Sequence, residues 1–338
     1  MLQLFQSIFS SDRTEPSAYS ADLIQRAIER AVEATDARLC AVSGYQKKLR
    51  GAVVHALDHA VALVEDLPPV LDLEPTSFGT HPEVTVYFTS VDHVRDLLER
   101  DPTLIQWRSS TEGTTAEQVI MLLLMTLQER KVLGVALQGD VLRSDVAQTT
   151  VSLSRHQLVD PASAEAETRR LLKRRAFDHL LSLALGRMAE TLAERGELER
   201  ERDLLRRKQA ALAAAGWAFE AAGAERPVDP RVLRIQLEAI ESQLGFLGSG
   251  SGLLQAQLEI LVQVLAQAEQ HFWSARESLI IDRLGVKQAH ASELAPEVGL
   301  TVLHNAAGQS LVARILRVGR AALPAQRDLL REAERYLS

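Results

Sequence analysis

The sequence predicts an α+β protein, mainly helical: a small mixed α/β head assembled from both chain ends, with an antiparallel helical hairpin inserted between its halves. Three observations lead there. Apolar residues step four and three apart at Leu233, Leu237, Ile240, Leu244 and Leu247, and again at Leu254, Leu258, Leu261, Leu265, Ala268 and Phe272, a spacing that keeps one seam toward a partner helix. Aromatic residues make up only 4% of the chain while Leu, Ala, Arg, Glu and Gln crowd its centre, which favours helices over a β-sandwich. Segments rich in β-branched residues flank this central region on both sides, so strands from both ends are expected to share one sheet. The expected division is 1–161 for the first part of the head, 162–277 for the helical stalk or bundle with its tip near 223–230, and 278–338 for the rest of the head.

Along the chain, 20–43 reads as an amphipathic helix with Leu23, Ile24, Ala27, Ile28, Ala31 and Val32 on one stripe, and 45–66 as a second, stopped by Pro68-Pro69. EVTVYFT at 83–89 reads as a strand, and Ser90 as the cap of a helix ending at Asp101-Pro102. Thr115 and Gln118 make a capping-box pattern before VIMLLLM, which predicts a helix over 116–131, apolar nearly all round and buried in the head. A β-hairpin is expected from 132–142 and 146–158, turning at Arg143-Ser144-Asp145.

The outgoing arm of the stalk, 162–215, carries Phe177, Leu181, Leu185, Met188 and Leu192, is interrupted at Gly196, and continues with Leu198, Leu205 and Leu212. The arms carry opposite net charge, which supports their pairing. GSGSG at 248–252 breaks the returning arm, since each Gly costs about 1 kcal/mol in a helix interior. Either this is a hinge at the height of Gly196, or an ordinary turn within a compact bundle. Strands follow at 278–286, 300–303 and 311–318, with a hairpin turn at 305–308, and a last helix over 325–337.

Composition bounds the function. A net charge of −7 disfavours general nucleic-acid binding. One cysteine, Cys40, excludes an intramolecular disulfide and a cysteine-cluster zinc site, and reads as a small core residue. The opening MLQLFQSIFSSD lacks a basic n-region, and the longest apolar run is too short to span a bilayer, so no transmembrane segment and a cytoplasmic location are expected. The apolar lead Leu2, Leu4, Phe5, Ile8 and Phe9 suits docking onto the head or a partner chain. GxxxxGK[ST], GxGxxG and GxSxG are all missing from the chain, so no catalytic residue and no cofactor is assigned.

Two clusters remain as candidate sites. His55 and His59 stand at i and i+4 on a predicted helix and could share a metal, with Asp58, His81 or Asp92 as a third ligand. The alternative is two histidines on an ordinary amphipathic surface. Asp-His dipeptides at 58–59, 92–93 and 178–179 invite a dyad, but helix neighbours point about 100° apart and do not face each other. Arg169, Arg170, Lys173, Arg174 and Arg175 form a basic cluster that could grip a phosphate, a nucleic acid or an acidic partner, yet it has no interleaved aromatics, and Glu165 and Glu167 stand ready to neutralise it. Glu194 to Lys208 alternates in charge, as a solvated helix face does. The expectation is therefore a non-enzymatic structural or adaptor protein that binds a protein partner or self-associates. A metal-dependent or regulatory enzyme near His55 and His59, and a nucleic-acid accessory protein using the basic cluster, are the alternatives.

Overall fold

A computed structural model describes residues 19–74, 78, 81–138, 141–215, 230–248, 250–282 and 285–324. The apolar lead at 2–9 and the helix expected over 325–337 lie outside the described residues. The protein is mixed α+β, with one six-stranded sheet and one very long helix. By contact the described residues divide into two compact units: 19–58 with Phe177–Ala268, and His59–Ala176 with 269–324.

The sheet belongs to the second unit. Its strands are β1 (Leu71–Asp72), β2 (Gln118–Gln138), β3 (Val141–Ala162), β4 (Phe272–Ile280), β5 (Glu297–Asn305) and β6 (Ser310–Gly319). Five of them lie in the order β3-β2-β6-β5-β4, each antiparallel to its neighbours. The short β1 runs parallel beside the end of β6, with Leu71 opposite Leu316. Residues 285–288 join the two outer strands: Val151 N–H donates to Gly285 O (2.7 Å), Lys287 N–H to Thr149 O (2.8 Å) and Gln288 N–H to Ile280 O (2.9 Å). The sheet therefore curls until β3 and β4 share this short connecting segment, which covers part of both outer edges.

β2 explains the main departure from the sequence reading. VIMLLLM lies in a strand, not in a helix over 116–131. Val119, Met121, Leu123 and Met125 face one cluster with residues of β3–β6 and of α3 (Pro82–Tyr87), α4 (Val91–Arg100) and α5 (Pro102–Arg108). Ile120 and Leu122 face another, formed with Val64 and Leu67 near the end of α2 (Tyr45–Glu65), Val159, Ala313, Ile315 and Leu172 of α7 (Glu165–Ala215). A strand covered on both faces loses its polar–apolar alternation and imitates an all-round apolar helix. Thr115 is not a helix cap; it ends the five-residue α6 (Thr111–Thr115).

The hairpin does not turn at 143–145. Gln138 pairs with Val141, and Arg143 lies within β3 opposite Ala136. Register shifts occur at three places along the pair, and each adds a residue to β3, none to β2. Asp145, Arg155 and Asp160 take positive φ at these bulges, in a region that aspartate enters at modest cost. The turn-like Asp145 is thus a bulge residue. Backbone groups near the bulges find side chains: Leu158 N–H donates to buried Asp101 (3.0 Å), which also caps α5, and Ile120 O accepts from Thr168 Oγ1 (2.9 Å).

Of the strand expected at 83–89, residues 83–87 lie in α3 instead, and Phe88 and Thr89 follow it outside any strand. Pro82 sits at its first turn, and only Val84 and Tyr87 are buried, three apart, the helical spacing rather than alternation. Ser90 caps α4 as expected, accepting from His93 N–H. The strands expected at 300–303 and 311–318 and the turn at 305–308 are present, with Asn305 Oδ1 accepting from Ala307 and Gln309 N–H (3.1 and 3.0 Å) and Gly308 at φ +76°, but of the strand expected at 278–286 only 278–280 lie in β4. β4 begins earlier than expected, at Phe272, so this residue does not end the helical seam.

The first unit is helical. α1 (Ala21–Thr35) stops at Asp36, whose extended backbone begins a 3₁₀ turn over Ala37–Ala41. In that turn Leu39 is buried, while Cys40 is exposed rather than a core residue. α7 runs unbroken through Gly196. The returning segment is two helices, α8 (Pro230–Phe246) and α9 (Ser251–Ala266), so one unbroken returning arm is not formed. A Cβ on Gly248 would lie 2.7 Å from the Gly252 carbonyl carbon, and its φ is +76°, so the link admits only glycine there. Leu205 of α7 is buried in one cluster with Leu233, Leu237, Ile240 and Leu244 of α8, and Leu198 packs against it. Arg30 of α1 grips Asp178 of α7 through both guanidinium and carboxylate ends, Nε to Oδ1 at 2.6 Å.

Leu123→Ala removes a fully buried side chain from the centre of β2 and is expected to cost about 3 kcal/mol in denaturant unfolding. Leu237→Asp places a charge in the α7–α8 seam and should lower the melting temperature clearly. Ile235→Asp, at an exposed position outside that cluster, should lower it little. Circular dichroism melts in which the two aspartates act alike contradict this packing.

Candidate functional site

The histidines and charges singled out in the sequence stand on helices and strands, and most of them are engaged within the chain. His55 and Asp58 are exposed on α2, and His59 is half-buried. His59 Nε2 lies 2.6 Å from Phe272 O, and since a carbonyl only accepts, this nitrogen carries the proton. Asp58 accepts from the Tyr19 phenol, whose pKa is driven up by burial first and then by this carboxylate. Among the described residues, no three His, Cys, Asp or Glu side chains come together as a metal ion would need.

The basic cluster meets acidic partners. Arg169 pairs with Glu165 (2.8 Å) and also donates to Val64 O (2.8 Å). Arg170 pairs with Glu167, Lys173 with Glu65 (2.7 Å), and Arg175 with Asp160 (2.6 Å). Lys173 and Arg169 thereby tie the start of α7 to the end of α2, and Arg175 ties it to a bulge residue of β3. Arg174 also has an interaction partner. The Asp-His dipeptides do not act as dyads in these contacts: Asp92 holds Arg95 (2.8 Å) and Asp178 holds Arg30.

Two polar groupings in the sheet unit were not recognised from the sequence. His93 of α4 and His156 of β3 meet edge to face with ring centroids 4.5 Å apart, and Phe88 stacks on His156 at 5.2 Å. His156 Nε2 donates to Tyr87 O (2.6 Å), and His93 Nδ1 accepts from Thr89 N–H (3.5 Å). Each contact places a proton on Nε2 of its ring. Burial lowers the pKa of His156 most; the Tyr87 carbonyl opposes this, and the neighbouring His93 adds to it. Charging the His156 ring would place a cation against the faces and edges of Phe88 and His93.

The second grouping is Arg314 of β6 with Glu83 and Tyr87 of α3. Arg314 Nε lies 2.8 Å from Glu83 Oε2, close enough for an ion pair though poorly angled for a hydrogen bond, and the Tyr87 hydroxyl donates to the same oxygen (3.1 Å). Burial, then the Glu83 charge, pushes the Tyr87 phenol up, so it stays a neutral donor. One signal for this grouping stands in the sequence: LVARILRV puts a charge at 314 among the apolar residues of a strand, and a buried cation requires a counter-charge. The pairing of His93 with His156 carries no such signal, because it joins residues far apart in the chain.

Glu83→Leu is expected to cost about 2 kcal/mol, because it leaves the Arg314 guanidinium buried without its counter-charge, and adding Arg314→Met should recover most of the loss. Equal stability of the single and double variants in denaturant unfolding contradicts that reading. For His156 the folded pKa lies below the unfolded one, so the native state binds fewer protons. Its contribution to stability is complete above the unfolded value near 6.5 and is lost as pH falls from there through the lowered folded value. His156→Gln should therefore flatten the decline in unfolding free energy between neutral and mildly acidic pH; an unchanged slope would exclude His156 as its source. Compared with known proteins, the chain matches no family model, no curated protein and no solved structure.

Proposed function

We propose that the protein is a non-enzymatic adaptor that binds a protein partner through its helical unit. The observation that carries this reading is the placement of apolar side chains on α7 and α8. Their shared seam is already filled by Leu205, Leu233, Leu237, Ile240 and Leu244, which supports an antiparallel, coiled-coil-like hairpin. Outside that seam, Leu185 (43% exposed) and Leu192 (38%) stand seven apart on one face of α7, and Val232 (47%) and Ile235 (62%) stand three apart on α8. Grouped apolar exposure at helical spacing is the surface a partner helix covers. The basic residues at 169–175 are instead paired within the chain, which favours the adaptor over a polyanion-binding role. No helix among the described residues is long and apolar enough to cross a membrane.

A photo-crosslinking residue placed at Ile235 or Leu185 in living cells is expected to yield one discrete heavier species, and the same residue at exposed Arg200 to yield none. Equal adducts at all three positions, or none at any, would sink the adaptor reading.

A further inference from the structure

The buried side chains of α7 and of the returning helices fall into two groups. Toward the end of α7 they form the seam of Leu205 with Leu233, Leu237, Ile240 and Leu244 of α8, with Leu198 at its border. Nearer its start, α7 buries Leu180, Leu181, Ala184 and Met188, and α9 buries Leu258, Leu261, Val264 and Leu265. Among the described residues, α7 has no buried side chain from 189 to 204, and the returning chain has none from 245 to 256. The two gaps lie side by side, because Arg195 of α7 donates to Gly248 O in the link between α8 and α9.

Both arms are also weakest at this level. Gly196 follows Arg195, and glycine loses more backbone freedom in a helix than any other residue. Its carbonyl accepts from Arg200 Nε (3.1 Å), a side-chain donor at the helical ladder, which is where helices commonly bend. On the returning arm Gly248 and Gly250 take φ of +76° and +53°, which no right-handed helix runs through. Gly186 is the contrast, since it stands between buried Ala184 and Met188 and packing holds α7 there. Nothing described lies within 4 Å of where a Cβ on Gly196 would stand, so close packing within the chain does not require this glycine.

We propose that the helical unit is hinged at this level. α7 bends at Gly196 and the link at 248–252 follows, so α8 with the end of α7 swings as one body against α9 with the start of α7. The bond of Arg195 to Gly248 O latches the position seen here. Two arms packed side by side bend only if both yield at the same height, and these do. Gln236 lies about 18 Å from Gly248 along α8 at 1.5 Å per residue, so a bend of about 20° carries it roughly 6 Å. Leu185 and Leu192 stand on one side of the hinge, Val232 and Ile235 on the other, so a partner covering both, on the adaptor reading, would fix the angle. The hinge itself does not rest on that reading.

Pulsed electron spin resonance on the full chain reads the angle as a distance. Cys40, the chain's one cysteine, is exposed on the turn packed against α9 and takes one spin label. Gln236→Cys, at an exposed position of α8, takes the second; Ala189→Cys, exposed on α7 before the hinge, takes it in a control pair. Distances from 40 to 236 are expected to spread roughly 6 Å more widely than those from 40 to 189. Gly196→Ala with Gly252→Ala, both at positions open to a Cβ and without positive φ, should narrow the first spread toward the second, and Gly186→Ala should leave it unchanged. Arg195→Leu keeps a comparable helix former but removes the donor to Gly248 O, and should widen the spread. Equal spreads for the two pairs in the parent, no narrowing with the alanines at 196 and 252, equal narrowing with Gly186→Ala, or no effect of Arg195→Leu each overturns the proposal. The crosslinks at Leu185 and Ile235 report a partner whatever the spread, so the two readings fail separately.

Discussion

The sheet unit depends on the burial of β2 on both faces. A strand with Val119, Met121, Leu123 and Met125 on one side and Ile120 and Leu122 on the other is stable only when something apolar covers each. That requirement recruits α3, α4 and α5 to one face and the end of α2 with the start of α7 to the other. It also explains where the polar links lie. Asp101 and Thr168 satisfy backbone groups beside the bulges of β3, and Arg169 and Lys173 fasten α7 to α2 where both cover the sheet. The ion pairs hold the covering helices in register, while the apolar area supplies the driving force.

Much of this was legible in the sequence where one face of an element meets water. α1, α2 and α4 show a clean apolar stripe or a capped start, and the strands β5 and β6 flank an evident turn. It was illegible where tertiary packing removes the contrast. The run at 119–125 has no polar side to report its period, and residues 83–87 obey a helix because Pro82 starts it and Val84 and Tyr87 face the core together. Asp145 carries turn chemistry, but the same left-handed tolerance serves a bulge. Gly186 and Gly196 show the converse: two glycines in a 51-residue helix are outweighed by their neighbours.

The candidate sites divide in the same way. The basic cluster could be read with its neutralising acids because Glu165 and Glu167 are local, yet Glu65 and Asp160 come from elsewhere in the chain. His93 and His156 meet only through the fold. Among the described residues, the basic cluster and the two polar groupings of the sheet unit are all engaged in contacts within the chain.

The pairing of Met125 with Val312 sets the order in which the protein can be completed during synthesis. β2 and β3 leave the ribosome as a hairpin, but the strand that covers the second edge of β2 follows almost two hundred residues later. At the usual rate of about 5–20 residues per second this is a delay of roughly 10–40 s, during which an apolar strand stands half-finished while the intervening helices are made. Translation speed and chaperone supply thus bear on the yield of this protein more than its modest size suggests.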